Sequence, residues 1–475
     1  MKDAVRKLCD FLIQVTNYKD HSEMVDVCIQ QYEDEIKLEE TLSLWKGTYC
    51  ISPLIQEFNK RTLLLAPIKV IHLFIPQLVF SIKENKNNEI VQVLLDKCQE
   101  SDQLSIAFFW TIVVEIERHY VLEYYNKVLY KFLQVLNKSN SELRSTLKRQ
   151  SVLVEKLVYI SGVIRSSRLK NVEKTKLLQT TLLQDKELLL FDPLLVPTCV
   201  EPVIGIVPEE CKVFASQLSP MLLTFLTKSG KMTKTIFKSG DDLRQDAIIL
   251  QTTGVMNSIL KENKVNAQAL TYQVVSTGLQ HGLVEYVPSY SFDELIQTGL
   301  DPFFRNYGLL STSKMNNFIA STACSSVFTF LLCVGDRHLD NILLKQDGTL
   351  FHIDYSFIGR ETKPFSTAMK LCPEMVSLMG GKHSGYYLRF IELTKEVYKL
   401  LRRHHLRIFD GLELATDSSI PDLTTLTLEK MRLRYRLDLS EADASKYLET
   451  EIERGFETVV PKLMDSFHHT WKSIW

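Results

Sequence analysis

The sequence predicts an α+β protein in two parts, an N-terminal all-α, solenoid-like domain followed by a part in which short strands and helices mix. Three observations carry that prediction. Only Gly47 and Gly162 precede residue 205, whereas the other sixteen of the 18 glycines fall from Gly205 onward. No proline occurs between Pro76 and Pro193, and apolar residues there recur at helical spacing, as in Ile90, Val93, Leu94 and in Ile106, Phe109, Trp110, Val113, Val114. From Cys211 the pattern changes to apolar runs of strand length punctuated by Ser-Gly and Asp-Gly turns.

In the first part, the short polar connections at Lys83–Asn88 and Gln99–Gln103 predict neighbouring antiparallel helices. The basic-leaning stretch RSSRLKNVEKTK, residues 165–176, reads as a linker or solvated helix end, and the domain boundary falls near residue 180. Beyond it, KVFASQLSPMLLTFLT and KMTKTIFK flank a Ser-Gly turn, and DDLRQDAIILQTTGVMNSILKEN reads as a helix. YQVVSTG and LVEYVPS form a second hairpin, closing a small lobe over about residues 185–287. The larger lobe, about 288–475, is mostly helical except at ILLKQDGTLFHID, where Asp347-Gly348 turns between two apolar strands.

Composition narrows the function classes. With 45% apolar, 10% aromatic and 24% charged residues, the chain is an ordinary globular one of 475 residues, neither mainly disordered nor collagenous. A formal net charge of -1 offers no general attraction to nucleic acid or anionic lipid, so any such contact is local. Nine cysteines with no C-x-x-C pair and no metal-like Cys/His spacing read as reduced thiols in a cytosolic protein. The N-terminal MKDAVRKLCDFLIQV carries Asp3 and Asp10 and lacks the apolar core of a signal peptide. The most apolar long stretch, residues 63–82, is broken by Pro67, Lys69, His72 and Pro76, so no transmembrane segment is expected.

The densest polar constellation is Gly335-Asp336-Arg337-His338-Leu339-Asp340-Asn341, directly after the apolar run VFTFLLCV. Asn341 precedes Asp354 with a hairpin between them, so strand pairing can bring an amide and a carboxylate to one end. Mg²⁺ favours such oxygen ligands, with phosphates and water completing its shell. Phosphoryl transfer then needs positioning, metal neutralisation and a group that orients or deprotonates the nucleophile, for which His338 is the candidate. In the small lobe, Lys238 ends the strand Thr235-Ile236-Phe237, and Asp246 follows at the start of a helix. A lysine held by a carboxylate suits nucleotide phosphates. Ser216, in the glycine-free turn Ala215 to Pro220, is a candidate for lying over those phosphates.

The segments IFKSGDDLRQD, VGDRHLDNILL and LFHID resemble the catalytic core of the phosphatidylinositol 3- and 4-kinases over roughly residues 185–475, and the helical part is similar to their accessory domain. The resemblance implies a bilobal, protein-kinase-like lipid kinase domain over residues 181–475 behind a helical domain over 1–180. It makes Lys238 the ATP-phosphate lysine, Asp246 and Tyr272 its pocket partners, Glu285 to Val287 the adenine hinge and Ile353 the pocket floor. Asp336 and His338 would activate the inositol hydroxyl, with Asn341 and Asp354 holding Mg²⁺, or Mn²⁺ in its place. The loop GRETKPFSTAMKL is similar to the class III 3-kinase loop GRDPKPLPPPMKL. Its Arg360, Lys363 and Lys370 would meet the lipid 1-phosphate or the membrane surface.

What the resemblance implies is therefore a class III phosphatidylinositol 3-kinase that makes phosphatidylinositol 3-phosphate. It would be cytoplasmic and peripheral on endosomal, vacuolar or autophagic membranes, with a protein-kinase-like regulatory subunit as partner. Alternatives are a phosphatidylinositol 4-kinase and a catalytically weak pseudokinase scaffold. Two departures stand out. Where the family has Asp-Phe-Gly-Tyr-Ile-Leu-Gly-Arg, this chain reads Asp354-Tyr355-Ser356-Phe357-Ile358-Gly359-Arg360, one residue shorter and with serine for the first glycine. The other is that 475 residues leave no room for the N-terminal lipid-binding β-sandwich of class III enzymes, which implies a reduced form. At the far end, Val460, Leu463, Met464, Phe467, Trp471, Ile474 and Trp475 form an apolar helical stripe suited to a bilayer interface.

Overall fold

The computed structural model describes residues 37–46, 53–85, 88–118, 123–298, 312–335, 337–360, 369 and 371–457. They fall into two compact units. The first comprises Met1–Ala247, Gln273–Tyr286 and Asp410–Ser418. Besides the single turns Leu38–Thr41 and Lys186–Leu189, its helices include α1 (Pro53–Leu65), α2 (Ile68–Leu73), α3 (Ile75–Asn85), α4 (Asn88–Gln99), α5 (Asp102–Arg118), α6 (Glu123–Ser139), α7 (Ser141–Ser166) and α8 (Asn171–Gln184). The polar connections do break these helices where the sequence predicts. The 165–176 stretch divides, with Arg165 ending α7 and Asn171 opening α8.

Helix α5 is the centre of this layer, with Phe108, Ile112 and Val114 all but inaccessible. Phe108 meets Phe132 of α6 edge to face at 5.0 Å. Its buried indole and the glutamine facing it are paired. Trp110 Nε1 donates to Gln150 Oε1 of α7 at 2.9 Å, and Gln150 Nε2 donates to the Leu195 carbonyl at 2.5 Å. Glu115, fully buried, lies 2.6 Å from Arg118 and 3.6 Å from Arg244. Burial raises its pKa, and the two guanidinium groups oppose that shift. Asn140 caps α7 by accepting from the Leu143 N–H at 3.0 Å.

The same unit holds an antiparallel sheet of β1 (Val203–Ile206), β2 (Lys212–Val213), β3 (Met221–Thr227), β4 (Met232–Ser239), β5 (Val274–Gly278) and β6 (His281–Glu285). Its order is β1-β3-β4-β6-β5, with β2 also beside β3. The run MLLTF of β3 is buried on both faces, which is why it reads as continuous rather than alternating. Gly230 closes the β3–β4 turn at φ +82, a backbone angle that favours glycine. Leu157, Ile164, Leu178 and Leu182 of α7 and α8 share one core with Met221, Leu223 and Phe225 of β3 and Phe237 of β4.

The second unit comprises Ile248–Tyr272, Val287–Phe409 and Ser419–Trp475. Helix α9 (Arg244–Glu262) starts in the first unit and belongs to the second from Ile248. Strand β7 (Tyr290–Ser291) and helix α10 (Phe292–Gln297) precede α11 (Thr312–Leu331). Fourteen of the twenty α11 residues are buried, every one from Ser321 to Leu331 among them, and two of its buried hydroxyls bond back to the helix's own carbonyls. Ser321 Oγ donates to Asn317 O at 2.6 Å and Thr329 Oγ1 to Ser325 O at 2.7 Å. Strands β8 (Ile342–Leu344) and β9 (Leu350–His352) pair as the predicted hairpin, with Gly348 at φ +87 in its turn, and β7 adds to β8.

Helices α12 (Pro373–Leu378), α13 (Gly385–Arg403), α14 (His405–Ala415), α15 (Thr425–Arg434) and α16 (Glu441–Glu457) follow, α14 passing into the first unit at Asp410. Buried Arg402 donates to the carbonyls of Tyr435, Arg436 and Leu439 at 2.6, 2.7 and 2.9 Å, pinning the turn after α15 to α13. Among the described residues no helix is long and apolar enough to cross a membrane. The six described cysteines are free thiols. The apolar stripe that starts at Val460 lies outside the described residues.

Candidate active site

Lys238 sits near the end of β4, opposite Gly282 of β6. Strand alternation turns Thr235 and Phe237 into the core and leaves Lys238 half-buried on the other face. Gly282 is required there, because a Cβ would lie 2.4 Å from the Val275 carbonyl oxygen. Lys238 Nζ lies 3.9 Å from Asp241 Oδ2. Gly240, at φ +92, turns the chain from the strand toward α9. Asp246 is 3% exposed in the first turn of that helix. Within the GDDLRQD string, Arg244 grips Asp242 in a fork, Nε–Oδ1 2.9 Å and Nη2–Oδ2 2.6 Å, and donates to the Ser418 carbonyl at 3.1 Å.

Ser216 lies exposed in the turn between β2 and β3, which Phe214 N closes onto Pro220 O at 2.9 Å. Ser219, at φ +49, accepts from Lys174 Nζ of α8 at 2.9 Å. Thr175 Oγ1 accepts from the Val213 N–H at 3.1 Å, so α8 braces both β2 and this turn. The basic stretch 165–176 is thus neither wholly linker nor wholly solvated. Glu285 ends β6, where its Oε2 accepts from the Gln273 N–H at 2.8 Å.

In the second unit Tyr272 is buried and meets Phe351 edge to face at 6.2 Å. The Val287 carbonyl accepts from Ser289 Oγ at 2.8 Å. His338 stands at the N-terminus of the helical turn Leu339–Asn341, its carbonyl accepting from Asn341 N at 3.0 Å. The β8–β9 register then places the main chain of Asn341 opposite Ile353, whose N–H donates to the Asn341 carbonyl at 3.0 Å. Ile353 is half-buried, Asn341 is 6% exposed, and Asp354 follows immediately at φ +61, a left-handed conformation rare outside glycine and frequent at functional sites.

Arg337 holds this geometry. Its guanidinium donates to the carbonyls of Gly335 at 2.8 Å, Ile353 at 2.8 Å and Asp354, and lies 5.6 Å from the Tyr355 ring centroid. Gly335 N donates back to Phe357 O at 2.8 Å. The Asp354 Oδ1 atom accepts from Ser356 N at 3.2 Å and from Ser356 Oγ. Farther along, Arg360 stacks on Phe357 at 4.9 Å and pairs with Asp422 at 2.5 Å, while the other carboxylate oxygen of Asp422 accepts from Ile358 N at 3.1 Å. Behind Asp354, His352 is buried, and burial followed by the nearby Arg337 charge pushes its pKa down to about 3. Asp336, Lys363 and Lys370 lie outside the described residues.

The sequence motif contains Arg337 without revealing its role, and Asp422 carries no signal at all in the text around it. For a divalent cation, the donor set is an amide oxygen and a carboxylate, all hard oxygen. Among the described residues no three His, Cys, Asp or Glu side chains gather as a cage. Those donors fit Mg²⁺, which takes one or two protein oxygens and leaves the rest of its octahedron to phosphates and water.

The family model described as phosphatidylinositol 3- and 4-kinase matches residues 232–301 and 300–425. That of the phosphoinositide 3-kinase family accessory domain, or PIK domain, matches residues 1–145. Among curated proteins, the chain is 32% identical to phosphatidylinositol 3-kinase pik3 of Schizosaccharomyces pombe, over 92% of this chain and 58% of that protein. It is 31% identical to phosphatidylinositol 3-kinase VPS34 of Arabidopsis thaliana over 95% and 57% of the two chains. It is also 36% identical to the root isoform of phosphatidylinositol 3-kinase of Glycine max over 70% and 42%. The chain thus spans about half the length of the curated relatives it matches. With the helical layer, the antiparallel sheet and the Gly335–Arg360 segment all in place, the chain belongs to the phosphatidylinositol 3- and 4-kinase family.

Proposed function

We propose that this chain is a phosphatidylinositol 3-kinase, transferring the γ-phosphoryl group of ATP to the 3-hydroxyl of phosphatidylinositol. The observation that carries the reading is the clasp of Arg337 on the carbonyls of Gly335, Ile353 and Asp354, which ties the His338 loop to the Asp354 segment. In this reading a new bond forms between the inositol 3-oxygen and Pγ, the Pγ–O bond to ADP breaks, and His338 takes the hydroxyl proton. Asp336 assists His338. Asn341 and Asp354 would hold Mg²⁺, or Mn²⁺, which when bound neutralises phosphate charge. Lys238 meets phosphate oxygens as a point charge, supported by Asp241 and Asp246, with Ser216 in the overlying turn. Tyr272 would be a further partner of Lys238, the backbone of Glu285 to Val287 would receive the adenine, and Ile353 would form the pocket floor.

Arg360, Lys363 and Lys370 serve the lipid headgroup. The few cations in GRETKPFSTAMKL suit an unphosphorylated inositol ring. The relatives' printed names support the 3-position. The resemblance to class III 3-kinases adds the expectation of peripheral attachment to endosomal, vacuolar or autophagic membranes and of a protein-kinase-like regulatory subunit. The test is purified protein with labelled ATP and phosphatidylinositol vesicles, followed by headgroup analysis. Label at the 3-position supports the proposal, and label at the 4-position replaces it with a 4-kinase. A second reading, a scaffold without turnover, is favoured by the serine bonded to Asp354 Oδ1. No labelled lipid from wild type, together with unchanged cellular function in Asp354→Asn, would establish it.

A further inference from the structure

Ser356 stands where the resembling kinases carry glycine, and it places two donors on one atom. Its main-chain N–H reaches Asp354 Oδ1 at 3.2 Å, and its hydroxyl donates to the same oxygen. A carboxylate oxygen has two lone pairs, so Oδ1 is satisfied in full by this one residue. Its direction is also fixed, because Asp354 sits at φ +61 with its carbonyl held by Arg337. With glycine or alanine at 356 the hydroxyl donor would be lost and the main-chain donor kept.

We propose that Ser356 is a positioning residue that competes with a divalent cation for Asp354 Oδ1, so that a cation using this oxygen must first turn the serine hydroxyl away. The inference rests on the kinase reading of Asp354 as a metal-binding carboxylate. A hydrogen bond to a charged acceptor is among the stronger neutral-donor contacts, yet the hydroxyl swings about one side-chain bond. The consequence is a raised cation requirement rather than a dead site. It also supplies a reason for a family member to carry serine at this position without losing Asp354.

The experiment is a Mn²⁺ titration of the whole chain in the presence of a non-hydrolysable ATP analogue. Free Mn²⁺ is read by electron paramagnetic resonance, and binding to the nucleotide alone is subtracted. Ser356→Ala and Ser356→Gly should each tighten Mn²⁺ about tenfold, the loss of one charge-assisted hydrogen bond to the competitor. Ser356→Thr, which keeps the hydroxyl, should bind as wild type does. Thermal melting of each variant confirms folding. Unchanged or weaker Mn²⁺ binding in both hydroxyl-free variants overturns the competition. Absence of protein-dependent Mn²⁺ binding in every variant overturns the kinase reading itself, which separates the two failures.

Discussion

Removing the Arg337 guanidinium should loosen the segment that carries Asp354. Arg337→Met keeps the length and apolar stem of the side chain and deletes three charge-assisted hydrogen bonds to main-chain carbonyls, those of Gly335, Ile353 and Asp354. Such bonds contribute about 1.5 to 3 kcal/mol each, and the site is half-buried, so water can partly re-satisfy the carbonyls. A net loss of roughly 3 to 5 kcal/mol follows for local opening. The sensitive reporters are two main-chain amides inside the clasp, Gly335 N on Phe357 O and Ile353 N on Asn341 O. Hydrogen exchange at these amides should accelerate by about two to three and a half orders of magnitude. Lipid phosphorylation should fall with it, while amides in β3 and β4 keep their protection. Arg337→Lys recovers part of the effect, since one ammonium cannot reproduce the planar fork. If exchange in Arg337→Met stays within threefold of wild type, the clasp does not hold the Asp354 segment, and the argument from its geometry fails.

Other perturbations have equally definite outcomes. Gly359→Ala should cost roughly 2 to 4 kcal/mol in thermal unfolding, because Gly359 sits at φ +62 and a Cβ would lie 2.6 Å from Thr427 Cγ2. His352 makes the fold acid-sensitive. Its folded pKa is depressed from 6.5 to about 3, so above 6.5 both states are neutral, and below it the unfolded chain binds a proton that the fold excludes. Stability should therefore fall as pH drops from 6.5 toward 3, with a slope approaching about 1.4 kcal/mol per unit from this group. His352→Gln should flatten that limb in urea titrations at successive pH values. Lys174→Ala, which removes the bond from α8 to Ser219, should raise the KM for ATP severalfold with kcat little changed, and Lys174→Arg should restore it. His338→Ala should abolish lipid phosphorylation without shifting the thermal midpoint.

Hairpins, helix breaks and the two chemical strings were legible because each is written in neighbouring residues. Asp347-Gly348 makes its turn wherever the strands go, and the period of α4 and α5 declares which side is buried. The sequence likewise carries the oxygen donors Asn341 and Asp354 at a spacing that only a hairpin can close. It does not carry the tertiary pairings. Asp422 lies 62 residues beyond Arg360, and its local text is an unremarkable loop, yet it holds both Arg360 and the Ile358 amide. Glu115, near the end of a largely apolar helix, gains its meaning from Arg118 and Arg244. Ser356 looks like a lost glycine in the string, and its hydroxyl bond to Asp354 arises from the left-handed backbone at 354. Local rules depend on short-range sterics and periodicity, which one stretch of chain satisfies alone. The partner of a buried charge or a main-chain carbonyl is decided by which distant atoms the packed fold brings within 3 Å, and only the folded chain brings them there.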